Sequence, residues 1–268
     1  MRVAIIGPGI MPIPPTGWGA VEILIWDQKL ALEKLGHEVN IINTQSPIEI
    51  LQEINRWRPD FVHVQYDDFV ELMPYVQYPS AITSHFGYLE QPLRWDYYGP
   101  RVAQKFNKIK PRTFCLSEGI KKTYQRKMSF PEDRLFVTPN GVNLDNFSYK
   151  SEPDFPDRSL YLAKIDYRKR QFMFQGIDSL WYAGNNSDHR FVSQWAAANL
   201  DIDKEFITVI PEEKISDIPY VESEIIKNRK YSTRNREEIL DYAKEFEWSR
   251  VVEKYYIPAM NSIIESYK

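Results

Sequence analysis

The sequence predicts an α/β protein with parallel, doubly wound sheets in two lobes, the second smaller than the first. Three observations carry this. Short apolar runs and helical segments alternate throughout residues 1–150. The first run, Val3-Ala4-Ile5-Ile6, is continuously apolar, as a central parallel strand covered on both faces must be. A proline- and acid-rich connector, Ser151-Glu152-Pro153-Asp154-Phe155-Pro156-Asp157, then divides the chain, and residues 151–268 are few for a second full layer. The expected lobes are therefore 1–150 and 151–268, the second holding roughly three or four strands.

Length and composition exclude several classes. A chain of 268 residues, 43% hydrophobic and 26% charged, can bury one large core or two small ones. No apolar run approaches the ~20 residues of a membrane-spanning helix, and Met1-Arg2-Val3-Ala4-Ile5-Ile6-Gly7 reads as a first strand and not as a signal peptide. The single cysteine, Cys115, excludes an intramolecular disulfide and a cysteine-based zinc site, and fits a reducing, cytoplasmic setting. A net charge of −3 gives bulk nucleic-acid binding no global support. No metal constellation is visible.

In order along the chain, the first strand ends at Gly7-Pro8-Gly9, and a proline-rich loop leads through Gly17-Trp18-Gly19 into a helix from about Ala20. Ile23, Leu24, Leu30, Ala31 and Leu35 mark its expected apolar stripe, and Gly36 stops it. Gly7-x-Gly9 lacks the third glycine of a dinucleotide fingerprint, so NAD binding is not expected. Val39–Ile42 is a second strand. Ser46-Pro47-Ile48-Glu49 is a capping box with proline at the first helical position, starting a helix to about Trp57. Phe61–Tyr66 alternates as a strand, with His63 inside it reading as a satisfied core residue. Ala81–His85 is another strand with His85 at its carboxyl end, where such folds place functional groups. Phe86–Gly99 is aromatic and irregular, either a ligand wall or a packed surface loop. Thr113–Ser117 is a strand, Glu118–Lys127 a basic helix and Arg134–Pro139 a strand.

Beyond the connector, the strand Leu160–Ala163 opens into Lys164, Arg168, Lys169 and Arg170. Ligands bind past the carboxyl ends of parallel strands, so these cations are an anion site or a solvated basic loop. Ile177–Asn185 is a strand ending in Gly184-Asn185, and Phe206–Pro211 is another. Ile218–Arg229 and Arg236–Phe246 are amphipathic helices joined by the polar stretch 228–235. A last helix opens at Glu247-Trp248-Ser249 and runs toward Tyr267, kinked at Pro258.

Several of these stretches, in this order, resemble retaining GT-B glycosyltransferases of the family 4 kind, a fold of two Rossmann-like lobes. Asn140-Gly141-Val142-Asn143-Leu144-Asp145-Asn146-Phe147, then a strand, then Lys164-Ile165-Asp166-Tyr167-Arg168-Lys169-Arg170-Gln171, is similar to that family's interdomain signature. Pro14-Pro15-Thr16-Gly17-Trp18-Gly19 with Glu22 resembles its N-terminal glycine loop, Thr83-Ser84-His85 its histidine strand, and Phe246-Glu247-Trp248-Ser249 its closing element.

The resemblance implies transfer of a sugar, with retention, from a UDP- or GDP-linked donor to a glycan or other hydroxyl acceptor, in a cleft between lobes. It implies a catalytic role for His85 near the sugar, and diphosphate binding by Lys164, Lys169, Gly17 and Gly19. It also places Trp18, Gly184 and Asn185 in the cleft, and has the terminal helix cross back onto the first, acceptor-side lobe. Neither a cofactor nor a metal is implied, and peripheral membrane association is compatible with it. Lys164 departs from the family's arginine and lacks its bidentate fork. A larger departure follows: no Glu-x7-Glu, whose glutamates contact donor sugar and ribose in the family, occurs between Gly184 and Leu200. A non-catalytic relative that binds a nucleotide or a partner is therefore the alternative expectation. A sugar-nucleotide epimerase needs an acid/base pair that the sequence does not reveal.

Overall fold

The structure is a computed structural model. It describes residues 1–16, 19–87, 89–94, 98–147, 152, 155–162, 171–174, 176–183, 214, 216–234 and 236–267. The chain divides into two compact units, and the described residues of the first fall within Met1–Asn146 and Glu245–Lys268.

The first unit is built on a six-stranded parallel sheet. Its strands are β1 (Arg2–Ile6), β2 (Glu38–Ile42), β3 (Phe61–Val64), β4 (Ser80–Thr83), β5 (Thr113–Cys115) and β6 (Leu135–Val137), in the order β2-β1-β3-β4-β5-β6. β1 pairs Val3 with Val39 on one side and with Phe61 on the other. The order reverses beside β1, so the carboxyl ends of β1 and β3 border a topological switch point.

Helices α1 (Ala20–Lys34), α2 (Pro47–Trp57), α3 (Tyr98–Ile109) and α4 (Glu118–Met128) cover the sheet. Ser46 caps α2, its hydroxyl accepting the Glu49 amide at 3.3 Å, and Arg58 closes the helix with a left-handed φ of 53°. One face of the sheet packs Ile6, Val62, Val64 and Ile82 against Ile50, Ile54, Val102, Phe106, Tyr124 and Met128. The other packs Val3, Ile5, Phe61 and Phe114 against α1 and against the returning segment, which contributes Trp248, Val251, Val252, Tyr256 and Met260. That segment is α7 (Trp248–Val251), a π-helical turn (Val252–Tyr256) and α8 (Ile257–Glu265), one continuous run of helical backbone with Pro258 directly after the π-helical turn.

The second unit, among the described residues, has a two-stranded parallel sheet of β7 (Ser159–Leu162) and β8 (Leu180–Ala183), paired Leu160 to Trp181. Helices α5 (Ile218–Arg234) and α6 (Arg236–Lys244) belong to it. Phe174, Ile177 and Val221 form its buried centre.

Three expectations need correction. The buried face of α1 is Ile25, Ala31 and Leu32 with Glu22, Asp27 and Gln28, whereas Ile23 and Leu30 are exposed. The polar stretch 228–235 is helical through Arg234, because Arg229 anchors it. Its guanidinium donates to the Asp157 carbonyl at 2.9 Å and to the Ser159 and Ser179 hydroxyls at 3.1 Å each. The aromatic stretch ends earlier than Gly99, in a helix that starts at Tyr98 and carries Pro100 in its first turn.

Candidate functional site

The loop leaving β1 is shaped by side chains at the exit of β2. Asn43 accepts the Gly9 amide at 2.8 Å and donates to the Met11 carbonyl at 2.8 Å. Gly9 takes a φ of +69°, and a Cβ there would lie 2.4 Å from Thr44 backbone, so only glycine fits. The loop delivers Gly19, with φ +146°, to the start of α1. No side chain caps that terminus, and the buried Glu22 lies in its first turn, where a carboxylate favours the helix dipole.

Below this loop a chain of buried polar side chains joins α1, β3 and β4. Thr83 lies 2.7 Å from His63 Nε2, His63 Nδ1 lies 3.2 Å from Gln28 Oε1, and Gln65 Nε2 donates to the same oxygen at 2.6 Å. Gln65 Oε1 then meets His85 Nε2 at 2.9 Å. One assignment satisfies these contacts: Thr83 donates to His63 Nε2, His63 Nδ1–H donates to Gln28, and His85 Nε2–H donates to Gln65. That assignment leaves His85 Nδ1 with its lone pair. The atom is out of solvent and has no partner among the described residues, and neither does Gln28 Nε2.

Burial decides the charge of both imidazoles. Desolvation pulls His63 down to about 3, with repulsion from His85 adding to it, and pulls His85 down to about 4. Both are neutral at pH 7, so His85 Nδ1 can accept a hydrogen bond or take a proton.

Asp67 lies just past the carboxyl end of β3 and is 1% exposed, and among the described residues neither carboxylate oxygen has a hydrogen-bond partner. Desolvation raises it to about 8, opposed in part by Ser84 and reinforced by the fields of Glu90 and Asp68. Glu90 is raised as well, first by burial, and accepts the Tyr124 hydroxyl at 3.0 Å. Asp67 is therefore protonated at pH 7.

The Asn140–Asn143 stretch makes a strap. Val142 N donates to Phe246 O at 2.7 Å and Val142 O accepts Trp248 N–H at 3.2 Å, while Gly141 lies against the Trp248 indole, with no room for a Cβ. Asn143 reaches Asp27 on α1 at 3.5 Å, and burial raises Asp27 against the pull of that contact. The two stretches Asn140–Asn143 and Phe246–Ser249 are thus one structural joint.

Of the sequence-predicted site residues, His85 and Gly19 are described, the first at the end of β4 and the second at the start of α1. Gly17, Trp18, Lys164, Lys169, Gly184 and Asn185 lie outside the described residues, as do the whole Gly184–Leu200 interval and the expected strand Phe206–Pro211. Sequence reasoning missed Gln28, Gln65, Thr83 and Asp67. The alternation of β3 implies that His63 and Gln65 share a face, but nothing in the chain marks Gln28 as their partner. Among the described residues no group of His, Cys, Asp and Glu could hold a metal.

The six-stranded parallel sheet, with helices packed on both faces, defines the class of fold: an α/β protein whose architecture is like that of the GT-B glycosyltransferases. Residues 43–146, which hold β3, β4 and His85, match the model of the family described as Glycosyltransferase Family 4. No curated protein matches the sequence. Among solved structures, AviGT4, a glycosyltransferase involved in avilamycin A biosynthesis, is 11% identical, with 98% of each chain covered and a TM-score of 0.56. At that identity the likeness establishes the fold. Anabaena HepE, solved with UDP and glucose, is 11% identical at a TM-score of 0.47, covering 68% of this chain and 60% of HepE. The lipopolysaccharide outer core galactosyltransferase WaaB is 13% identical at 0.44, and this chain spans 60% of it. No helix among the described residues is long and apolar enough to cross a membrane.

Proposed function

We propose that this protein is a nucleotide-sugar-dependent glycosyltransferase acting with retention, with residues 1–150 as its acceptor side and residues 151–268 as its donor side. The observation that carries the reading is His85 Nδ1, a neutral, unpartnered acceptor held at the end of β4 by Gln65, within the segment that matches the glycosyltransferase family. In the transfer, the acceptor hydroxyl oxygen bonds to the anomeric carbon, the bond to the nucleoside diphosphate breaks, and the diphosphate leaves with the electron pair. The acceptor proton ends on the leaving phosphate. Lys164 and Lys169 would neutralise the charge that grows there, electrostatic stabilisation that needs no metal. His85 would accept a hydroxyl of the transferring sugar and hold the ring for attack. The donor is UDP- or GDP-linked, and the acceptor a glycan or other hydroxyl compound.

The absence of Glu-x7-Glu between Gly184 and Leu200 favours a second reading, a non-catalytic relative that binds nucleotide alone. Calorimetric titration with UDP, GDP, ADP and their sugar conjugates separates the two. Lys169→Ala should weaken nucleotide and conjugate alike by about tenfold or more, the worth of one charged hydrogen bond. His85→Ala should weaken only the conjugate and lower turnover. Conjugate and nucleotide binding equally, without turnover, selects the second reading. No binding of any nucleotide at millimolar concentration rejects both.

A further inference from the structure

What His85 Nδ1 offers a ligand is decided two side chains away. His85 Nε2 meets Gln65 Oε1, and Gln65 Nε2 meets Gln28 Oε1, so the orientation of one amide sets that of the next. Gln28, Gln65, His63 and Thr83 are all buried, and a hydrogen bond lost at that depth is not replaced by bulk water. The His63 ring is held in place by its packing. Phe114 meets it edge-on at 5.0 Å between ring centroids, and Tyr256 lies at 5.7 Å. The two amides are therefore the parts of this chain that can turn.

Turning an amide end over end exchanges its oxygen and nitrogen without moving either site. Gln28 cannot turn alone, because its Nε2 would then face Gln65 Nε2 at 2.6 Å, donor against donor. If both turn, every bond reverses. Gln28 donates to His63 Nδ1 and to Gln65 Oε1, Gln65 Nε2 donates to His85 Nε2, and the His85 proton sits on Nδ1. His85 then presents a donor where the structure presents a lone pair. The reversal has a cost at the far end. His63 Nε2–H would donate to Thr83, and the Thr83 hydroxyl has no other hydrogen-bond partner among the described residues for its own hydrogen.

We propose that Gln28 is a positioning residue: its amide oxygen receives both His63 and Gln65, holds the chain in one orientation and so keeps His85 Nδ1 an acceptor. Gln28 acts through Gln65 and touches no ligand itself. A substrate group facing Nδ1 must then be a hydroxyl or amine that can donate, while an ether or carbonyl oxygen sets lone pair against lone pair and is refused. That selection rests on the transferase reading of His85, whereas the tautomer belongs to the protein alone and is measured without any substrate.

The test is a long-range proton–nitrogen correlation spectrum of the full chain, labelled at histidine and free of nucleotide, at about pH 7, where burial keeps both rings neutral. The chain has four histidines, and His85→Ala identifies the signal. Wild type should show a single His85 tautomer, protonated at Nε2. Gln28→Leu, close in size but without hydrogen-bonding atoms, releases the Gln65 amide, and the Nε2–H form should fall to about half. Gln28→Glu keeps an oxygen opposite both donors and should retain the wild-type tautomer. Both substitutions disturb packing at one buried position, so a lowered melting temperature is common to them, and only the tautomer distinguishes orientation from bulk. A wild-type ring protonated at Nδ1 overturns the proposal. So does an unchanged tautomer in Gln28→Leu, or in Gln28→Glu the mixture expected of Gln28→Leu. The wild-type and Gln28→Glu spectra decide the matter even where Gln28→Leu does not fold. The expected tautomers in a protein that binds no nucleotide uphold the positioning by Gln28 and reject the transferase reading.

Discussion

Gly141→Ala tests the joint between the Asn140–Asn143 strap and the returning helix. The glycine's backbone is ordinary, so the demand is for space. An added Cβ would lie 2.3 Å from Trp248 Cδ2, 2.6 Å from Cγ and 2.7 Å from Cε3. Carbon atoms rest about 3.5–4.0 Å apart, so the ring must retreat by roughly 1 Å or more. It has little room for that. Trp248 is 3% exposed, its ring lies 6.3 Å from that of Tyr256, and its amide is tied to Val142. Overpacking of a confined site costs about 1–3 kcal/mol, and three simultaneous clashes with a rigid indole argue for the upper end. The first unit should then melt about 6–12 °C lower by differential scanning calorimetry. Trp248→Leu alone should cost about 3 kcal/mol through the void it leaves. Combined with Gly141→Ala, however, the new methyl fills part of that void, and the double variant should be less destabilised than the sum by about 2 kcal/mol. A Gly141→Ala protein within about 0.5 kcal/mol of wild type, or strict additivity of the pair, would refute the argument.

Asp67→Asn should flatten the alkaline limb of stability. The folded-state value of Asp67, raised to about 8 from 3.8, means the folded protein holds a proton that the unfolded chain has released. Its contribution is complete below pH 3.8 and is lost as pH rises through 8, by at most about 1.4 kcal/mol per pH unit. His63 and His85, lowered to about 3 and about 4, act in the opposite sense and only below their unfolded value of 6.5. Between pH 6.5 and 8, wild type should therefore lose melting temperature relative to Asp67→Asn, and parallel profiles would count against a buried neutral acid. Ser46→Ala should cost about 1 kcal/mol in urea unfolding by removing the α2 cap, with no change in nucleotide affinity.

What the sequence disclosed depended on whether a local rule spoke for the residue. The capping box at Ser46 located α2 from Pro47 to Trp57, because serine, proline and glutamate each satisfy a stated need of a helix start. The apolar run Val3–Ile6 announced a strand covered on both sides. Hydrophobic periodicity misplaced the face of α1, since what that helix buries includes Glu22, Asp27 and Gln28, and Gln28 serves the polar chain to His63 and Gln65. Such a partner is set by strand order, which no stretch of sequence displays. Helicity through Arg234 escaped notice for a related reason: its anchor is a guanidinium reaching carbonyl and hydroxyl oxygens about seventy and fifty residues away in the chain. The position of His85 was legible from the end of its strand. Its tautomer was not, because that follows from the orientation of Gln65.

The return of residues 245–268 to the first unit has a consequence for biosynthesis. Trp248, Val251, Val252, Tyr256, Ala259, Met260 and Ile263 supply nearly half of the described buried residues on their side of the sheet. While the ribosome is still making the second unit, β1, β3 and β5 are already outside the tunnel with that side uncovered. Local helices can form at once, but the apolar face between them waits for residues translated after the second unit. Nascent chains stalled anywhere between Phe147 and Lys244 should accordingly present a sticky, protease-sensitive sheet, a natural substrate for holdase chaperones.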